Sequence, residues 1–102
     1  MMAKKNGNGK PHPDFKKEQQ IEFPVTFDLK AVMLGTTEDE VNKSRLEEVL
    51  SKGKILFRFL HQKLSKKGNY VSYTYSVTLQ SKQEMDRLYS ELKGVKGLKF
   101  AL

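Results

Sequence analysis

Residues 25–32 alternate Val25, Phe27, Leu29 and Ala31 with Thr26, Asp28 and Lys30, the two-residue period of a strand with one buried face. Pro24 suits the entrance of that strand, where a missing N–H removes no ladder bond. After Gly35 the period changes. Thr37 with Glu40 three residues on predicts a capping box, acidic residues fill the first turn, and Val41, Leu46, Val49 and Leu50 form the inner face of a helix that stops at Gly53. Residues 54–65, with Ile55, Phe57 and Phe59, predict a second strand. Gly68 supplies the positive φ of a hairpin turn, and a third strand runs from Tyr70 to about Gln80. Ser81 and Glu84 make another capping box ahead of Met85, Leu88, Tyr89 and Leu92, the i, i+3, i+4, i+7 stripe of a second helix ending at Gly94. In the last segment Leu98, Phe100 and Leu102 alternate with Lys99 and Ala101, predicting a short final strand with those three on one face.

The order β-α-β-β-α-β with two amphipathic helices specifies the α+β, ferredoxin-like fold, a four-stranded antiparallel sheet with both helices on one face. Right-handed crossovers put the first and third strands in the centre. One face of the sheet is then left uncovered.

Composition narrows the chemistry. A chain of 102 residues holds one core. Without cysteine it has no disulfide, thiolate zinc site or cysteine nucleophile. No run approaches the roughly 20 apolar residues of a membrane span, and the N-terminus lacks a signal-type apolar stretch, so the expected location is the cytoplasm and no membrane partner is expected. Of the net charge of +7, five lysines against Asp14 and Glu18 leave +3 in residues 1–20. Those residues offer almost no apolar anchor, so they read as a disordered basic tail ahead of a domain at residues 21–102.

In the third strand Val71, Tyr73, Tyr75, Val77 and Leu79 share one face, and Tyr70, Ser72, Thr74, Ser76 and Thr78 the other. The apolar set must be the face covered by helices. RNA-recognition modules have the same element order and stack bases on open-face aromatics, with the pattern K/R-G-F/Y-G/A-F-V-x-F/Y. Lys67 and Gly68 match its first two letters, but Asn69 stands at the third, Val71 at the fifth, and Tyr73 and Tyr75 point inward. Only Tyr70 is left to stack, and the open positions Thr26, Asp28 and Lys30 of the first strand add no aromatic. Nucleic-acid binding through Lys63, Lys66, Lys67 and Tyr70 is therefore the alternative reading, not the main one. Lysines around an edge strand also serve simply to prevent edge-to-edge association, which accounts equally for Lys52, Lys54 and Arg58.

The stretches "EFPVTFDLK" (residues 22–30), "SKKGNYVSYTYSVT" (65–78), "LYSEL" (88–92) and the terminal "LKFAL" resemble the YbeD-like family of small bacterial proteins of unassigned function, whose members look like ACT-type regulatory domains. The resemblance spans residues 21–102. It implies a bacterial source, an ACT-like fold and a regulatory or ligand-sensing role. ACT domains commonly bind amino acids beside the loop between the first strand and first helix, which here carries Gly35, Thr36 and Thr37. Gly35 permits close backbone approach, and free N–H groups at a helix start suit a carboxylate. Glu38, Asp39 and Glu40 place negative charge at the same spot, and the loop lacks the aspartate that precedes the glycine in amino-acid-binding ACT domains, so a capped helix after a tight loop is the stronger reading.

His61 is the domain's lone histidine, and no metal-ligand spacing, nucleophile with its base, or paired carboxylates can be nominated. The expectation is a non-catalytic regulatory or interaction module without cofactor or metal, meeting a protein partner or a second copy as a weak homodimer through Thr26, Lys30, Ser72, Thr74 and Ser76, or answering to a small-molecule effector.

Overall fold

The computed structural model describes residues 21–102; the expectation of a disordered tail over residues 1–20 lies outside the described residues. Six elements follow the expected order: β1 (Val25–Leu34), α1 (Asp39–Lys52), β2 (Leu56–Leu64), β3 (Tyr70–Leu79), α2 (Lys82–Leu92) and β4 (Leu98–Ala101). The strands make one sheet in the order β2-β3-β1-β4, every neighbouring pair antiparallel. β1 and β3 are central, as right-handed crossovers require. Leu29, Ala31 and Met33 of β1 and Val71, Tyr73, Tyr75, Val77 and Leu79 of β3 are buried together with Leu46 and Leu50 of α1 and Met85, Leu88 and Leu92 of α2. This is the ferredoxin-like α+β fold, with both helices on one face.

Strand periodicity translates directly into burial in β1 and β3. Each consecutive pair across them, from Val25 with Leu79 to Leu34 with Tyr70, is in register, so a slip of one residue would turn the whole apolar set into water. The hairpin closes as expected, with Gly68 at φ +78° and its N–H donating to the Ser65 carbonyl at 2.9 Å.

Several local expectations need correction. Thr37 does not cap α1: the capping position is Glu38, whose side chain makes no cap bond, and the helix begins one residue later than a Thr37 box would place it. Val41 is 36 % exposed, and the inward site beside it belongs to Asn42, which is fully buried. A polar residue can take that place because its amide nitrogen has partners in β1 and β3, described below, although its Oδ1 is buried without one. Gly53 ends α1 in the ordinary helical region, φ −77°, and the left-handed residue is Lys54 at φ 57°. The α2 box forms in a shifted version: the Glu84 N–H donates to Ser81 Oγ at 3.1 Å, while Glu84 Oε1 accepts from the Gln80 N–H at 2.7 Å.

The largest correction concerns β4. Leu98 pairs with Met33 and Phe100 with Val32, so Lys99 is an extra residue at a bulge. Leu98 and Ala101 pack on the core, and Phe100 lies on the opposite, uncovered face at 46 % exposure. The strict alternation expected for Leu98, Phe100 and Leu102 is broken by that one inserted residue. β2 has a similar irregularity, Phe59 pairing with Tyr75 and His61 with Thr74, with Leu60 between.

Leu88, 2 % exposed at the centre of the α2 stripe, tests the packing. Leu88→Ala should lower unfolding stability by about 2–5 kcal/mol, read by denaturant melts; a variant melting like the parent would show that α2 does not bury this face.

Candidate functional site

The loop between β1 and α1 is closed by the protein's own backbone. The Gly35 N–H donates to the Asn69 carbonyl at 2.7 Å, and a Cβ at residue 35 would overlap the Gly68 carbonyl oxygen. The close approach that glycine permits is thus to the β2–β3 hairpin. Thr36 is exposed and Thr37 half-buried. Below them, Asn42 Nδ2 donates to the Leu34 carbonyl at 3.0 Å, to the Tyr73 hydroxyl at 3.3 Å and, at 3.5 Å, to the Thr37 carbonyl. The Tyr73 hydroxyl in turn donates to Asp39 Oδ1 at 2.6 Å. Tyr73 and Gln62, with the charge of Lys43, hold the Asp39 carboxyl below its ordinary range. Burial, reinforced by the Asp39 bond, pushes the Tyr73 hydroxyl up to about 12. The helix start is therefore occupied by its own carboxylate, and a carboxylate ligand would meet Glu38, Asp39 and Glu40 there.

The uncovered sheet face is the larger feature. From the registers, it presents Thr26, Asp28, Lys30, Val32 and Leu34 from β1, Tyr70, Ser72, Thr74, Ser76 and Thr78 from β3, and Leu56, Arg58, His61 and Lys63 from β2. β4 adds Phe100 and, through its bulge, Lys99, whose Nζ lies 6.0 Å from the Tyr70 ring centre. All five residues expected at an interface, Thr26, Lys30, Ser72, Thr74 and Ser76, share this face. Thr26 and Thr78 bond through their hydroxyls at 2.9 Å. Thr74 is only 6 % exposed, flanked across the strands by Lys30 and His61, so it lies beneath the face more than on it. Lys63 and Tyr70 belong to the face, whereas Lys66 and Lys67 sit in the exposed turn at its end.

Val32, Leu34, Lys99 and Phe100 were not candidates from the sequence, whereas Arg58 belongs to the basic group already noted around the second strand. Leu34 and Phe100 are 42 % and 46 % exposed. Alternation along β1 continued past Lys30 would have found Val32 and Leu34; nothing local marks the bulge that turns Phe100 outward.

Charge is segregated between the layers. The strands hold one acid, Asp28, against Lys30, Arg58, Lys63 and Lys99, while the two helices hold seven acids against five bases. Among the described residues the ion pairs are Lys52–Glu48 and Lys82–Asp86, both on helices. The four strand cations are left facing solvent.

Residues 18–102 match a family described as "Protein of unknown function (DUF493)". The chain belongs to the DUF493 family. A UPF0250 protein of Shewanella sediminis is 35 % identical over 89 residues, covering 87 % of this chain and 98 % of that one. The uncharacterized protein Cj0253 of Campylobacter jejuni is 35 % identical over 81 residues, covering 78 % and 86 %. The solution structure of protein HP0495 from H. pylori superimposes with a TM-score of 0.68 at 20 % identity, over 91 % of this chain and 98 % of that one. These findings bear out the YbeD-like resemblance and the ferredoxin-like fold. The DUF493 match spans every element that builds the uncovered face, from β1 to β4.

Two substitutions test the loop. Gly35→Ala should destabilise by about 1–3 kcal/mol through overlap with the hairpin backbone, measured by thermal and urea unfolding; an unchanged melt would leave the glycine free for another role. Tyr73→Phe should raise the Asp39 pKa towards its ordinary value in a carboxyl NMR titration. Because the Tyr73 pKa is raised in the folded state, its stabilising contribution is complete below pH 10, the ordinary value, and lost as pH rises through about 12. That contribution to alkaline loss should be absent in Tyr73→Phe.

Proposed function

We propose that this protein is a non-catalytic interaction module of the cytoplasm whose working surface is the uncovered sheet face, and whose partner is a chain of opposite charge. The observation that carries this is the joint presence there of exposed apolar Leu34 and Phe100 and four cations opposed by Asp28 alone. Apolar side chains at that exposure, ringed by polar groups, mark association surfaces. Charge argues against self-pairing: a two-fold face-to-face dimer would bring Lys30, Arg58, Lys63 and Lys99 of both copies together. An acidic partner uses the same groups favourably. A regulatory role fits a module whose chemistry is recognition. His61, the domain's histidine, stands among face residues opposite Thr74, and the raised hydroxyls of Tyr73 and Tyr75 are bonded to α1 carboxylates, which supports a structural use for both. Among the described residues no helix is long and apolar enough to cross a membrane.

Amide shift mapping with a polyglutamate peptide at low salt tests this reading. Shifts should concentrate at Lys30, Arg58, Lys63, Ser72, Ser76 and Phe100, and Ser76→Arg, which adds a cation to the face, should tighten binding. Shifts centred on α1 and α2 would sink the proposal.

A further inference from the structure

The polyanion that fits this face best, we propose, is a single-stranded nucleic acid, its bases against Tyr70 and Phe100 and its phosphates on Lys30, Arg58, Lys63 and Lys99. The inference rests on the uncovered face being the working surface and identifies the class of partner.

Charge alone would suit any acidic chain; the aromatics distinguish among them. Tyr70 begins β3 and Phe100 lies in β4, on the two strands that flank β1. Opposite them in β1 are Leu34 and Val32, so the floor between the rings is apolar. With strands about 4.8 Å apart and a two-residue offset along β1, the two rings are roughly 12 Å apart. One base cannot touch both, so the platform takes two separate bases. Lys99 Nζ lies over the Tyr70 ring, 6.0 Å from its centre; a base stacking there displaces it to the side, where it meets that nucleotide's phosphate. A bulge commonly re-aims side chains where a sheet meets its ligand, and here it supplies both Lys99 and Phe100.

The remaining face residues suit the same ligand. Ser72, Ser76 and Thr78 are half-buried hydroxyls in a row beside these cations, able to donate to or accept from base edges and the 2′-hydroxyl. A duplex is a poor fit, because reading it calls for an element that enters a groove, and this is a broad sheet surface. The aromatics differ in position from those of RNA-recognition modules, lying at the head of β3 and in β4. The shared principle is stacking on an open sheet with cations at its margin.

The experiment uses the full chain with labelled oligouridylate and oligodeoxythymidylate of about 12 nucleotides and a polyglutamate peptide of equal charge, titrated by fluorescence anisotropy. Three or four phosphate contacts predict that raising salt from about 50 to 200 mM weakens oligonucleotide binding roughly 20- to 50-fold. Phe100→Ala and Tyr70→Ala should each weaken it at least about fivefold, with the salt slope unchanged and a clearly smaller loss for polyglutamate, which has no rings to stack. Lys63→Glu should weaken both ligands, and Lys52→Glu, on exposed α1, neither. The two oligonucleotides separate RNA from DNA: preference for oligouridylate assigns a role to the hydroxyl row, and equal binding assigns the affinity to stacking and phosphate. Absence of oligonucleotide binding at low salt would overturn the inference. So would aromatic variants that bind like the parent; if polyglutamate then still maps to the face, the partner is an acidic protein and the working surface stands. If Lys52→Glu weakens binding as much as Lys63→Glu, both inference and surface fall.

Discussion

Two tyrosines buried side by side in β3 impose the constraint on which the rest of this structure depends. Tyr73 and Tyr75 are fully buried in the core, and each must find a partner for its hydroxyl or lose the bond it makes in water. Both partners are carboxylates of α1: Tyr73 donates to Asp39 at 2.6 Å and Tyr75 to Glu47 at 2.8 Å. Eight residues apart, Asp39 and Glu47 fasten the helix to the sheet at two points along its length. The rings fill the space beneath, with Phe57 and Phe59 meeting Tyr75 edge-on at 5.8 and 5.4 Å and Lys43 lying 3.9 Å above Phe59. Once α1 is held this way, Asn42 falls inward and its amide joins helix, β1 and β3 in one network.

The same attachment determines what is left over. With both helices committed to the tyrosine side, the opposite face has no cover, and the charges the strands can carry are those water tolerates there. The acids of the chain are drawn to the helices, where Asp39 and Glu47 hold tyrosines, Glu84 completes the α2 start and Asp86 meets Lys82 at 3.0 Å. The cations of the strands have no such duty. Their segregation follows from how the two layers are joined, and it gives the open sheet an electrostatic character that the net charge of +7 does not reveal.

A concave feature lies away from that face. Ile21, Phe23, Met85, Tyr89, Ala101 and Leu102 line a mostly apolar groove of about 430 Å³ flanked by Lys82 and Asp86. It borders the start of β1, where the Phe23–Pro24 peptide is cis, and its one cation, Lys82, is paired with Asp86, so it lacks the excess of unpaired cations of the open face.

The sequence by itself determined element order, the two faces of β1 and β3, the hairpin at Gly68 and the α2 stripe, because each is written in a local period or a residue with one dominant conformational use. It also placed Tyr73 and Tyr75 inward and Thr26, Lys30, Ser72 and Ser76 outward. Tertiary structure decided the rest. Asn42 replaces Val41 inside because its bonding partners come from β1 and β3, distant in the chain. Gly35 is reserved for the hairpin backbone because Gly68 and Asn69 fold against it. Phe100 and Lys99 face outward because β4 must register with β1 around one extra residue, and the cost of a bulge is settled between two strands. Periodicity describes a strand alone; which side a short edge strand shows is a property of the pair.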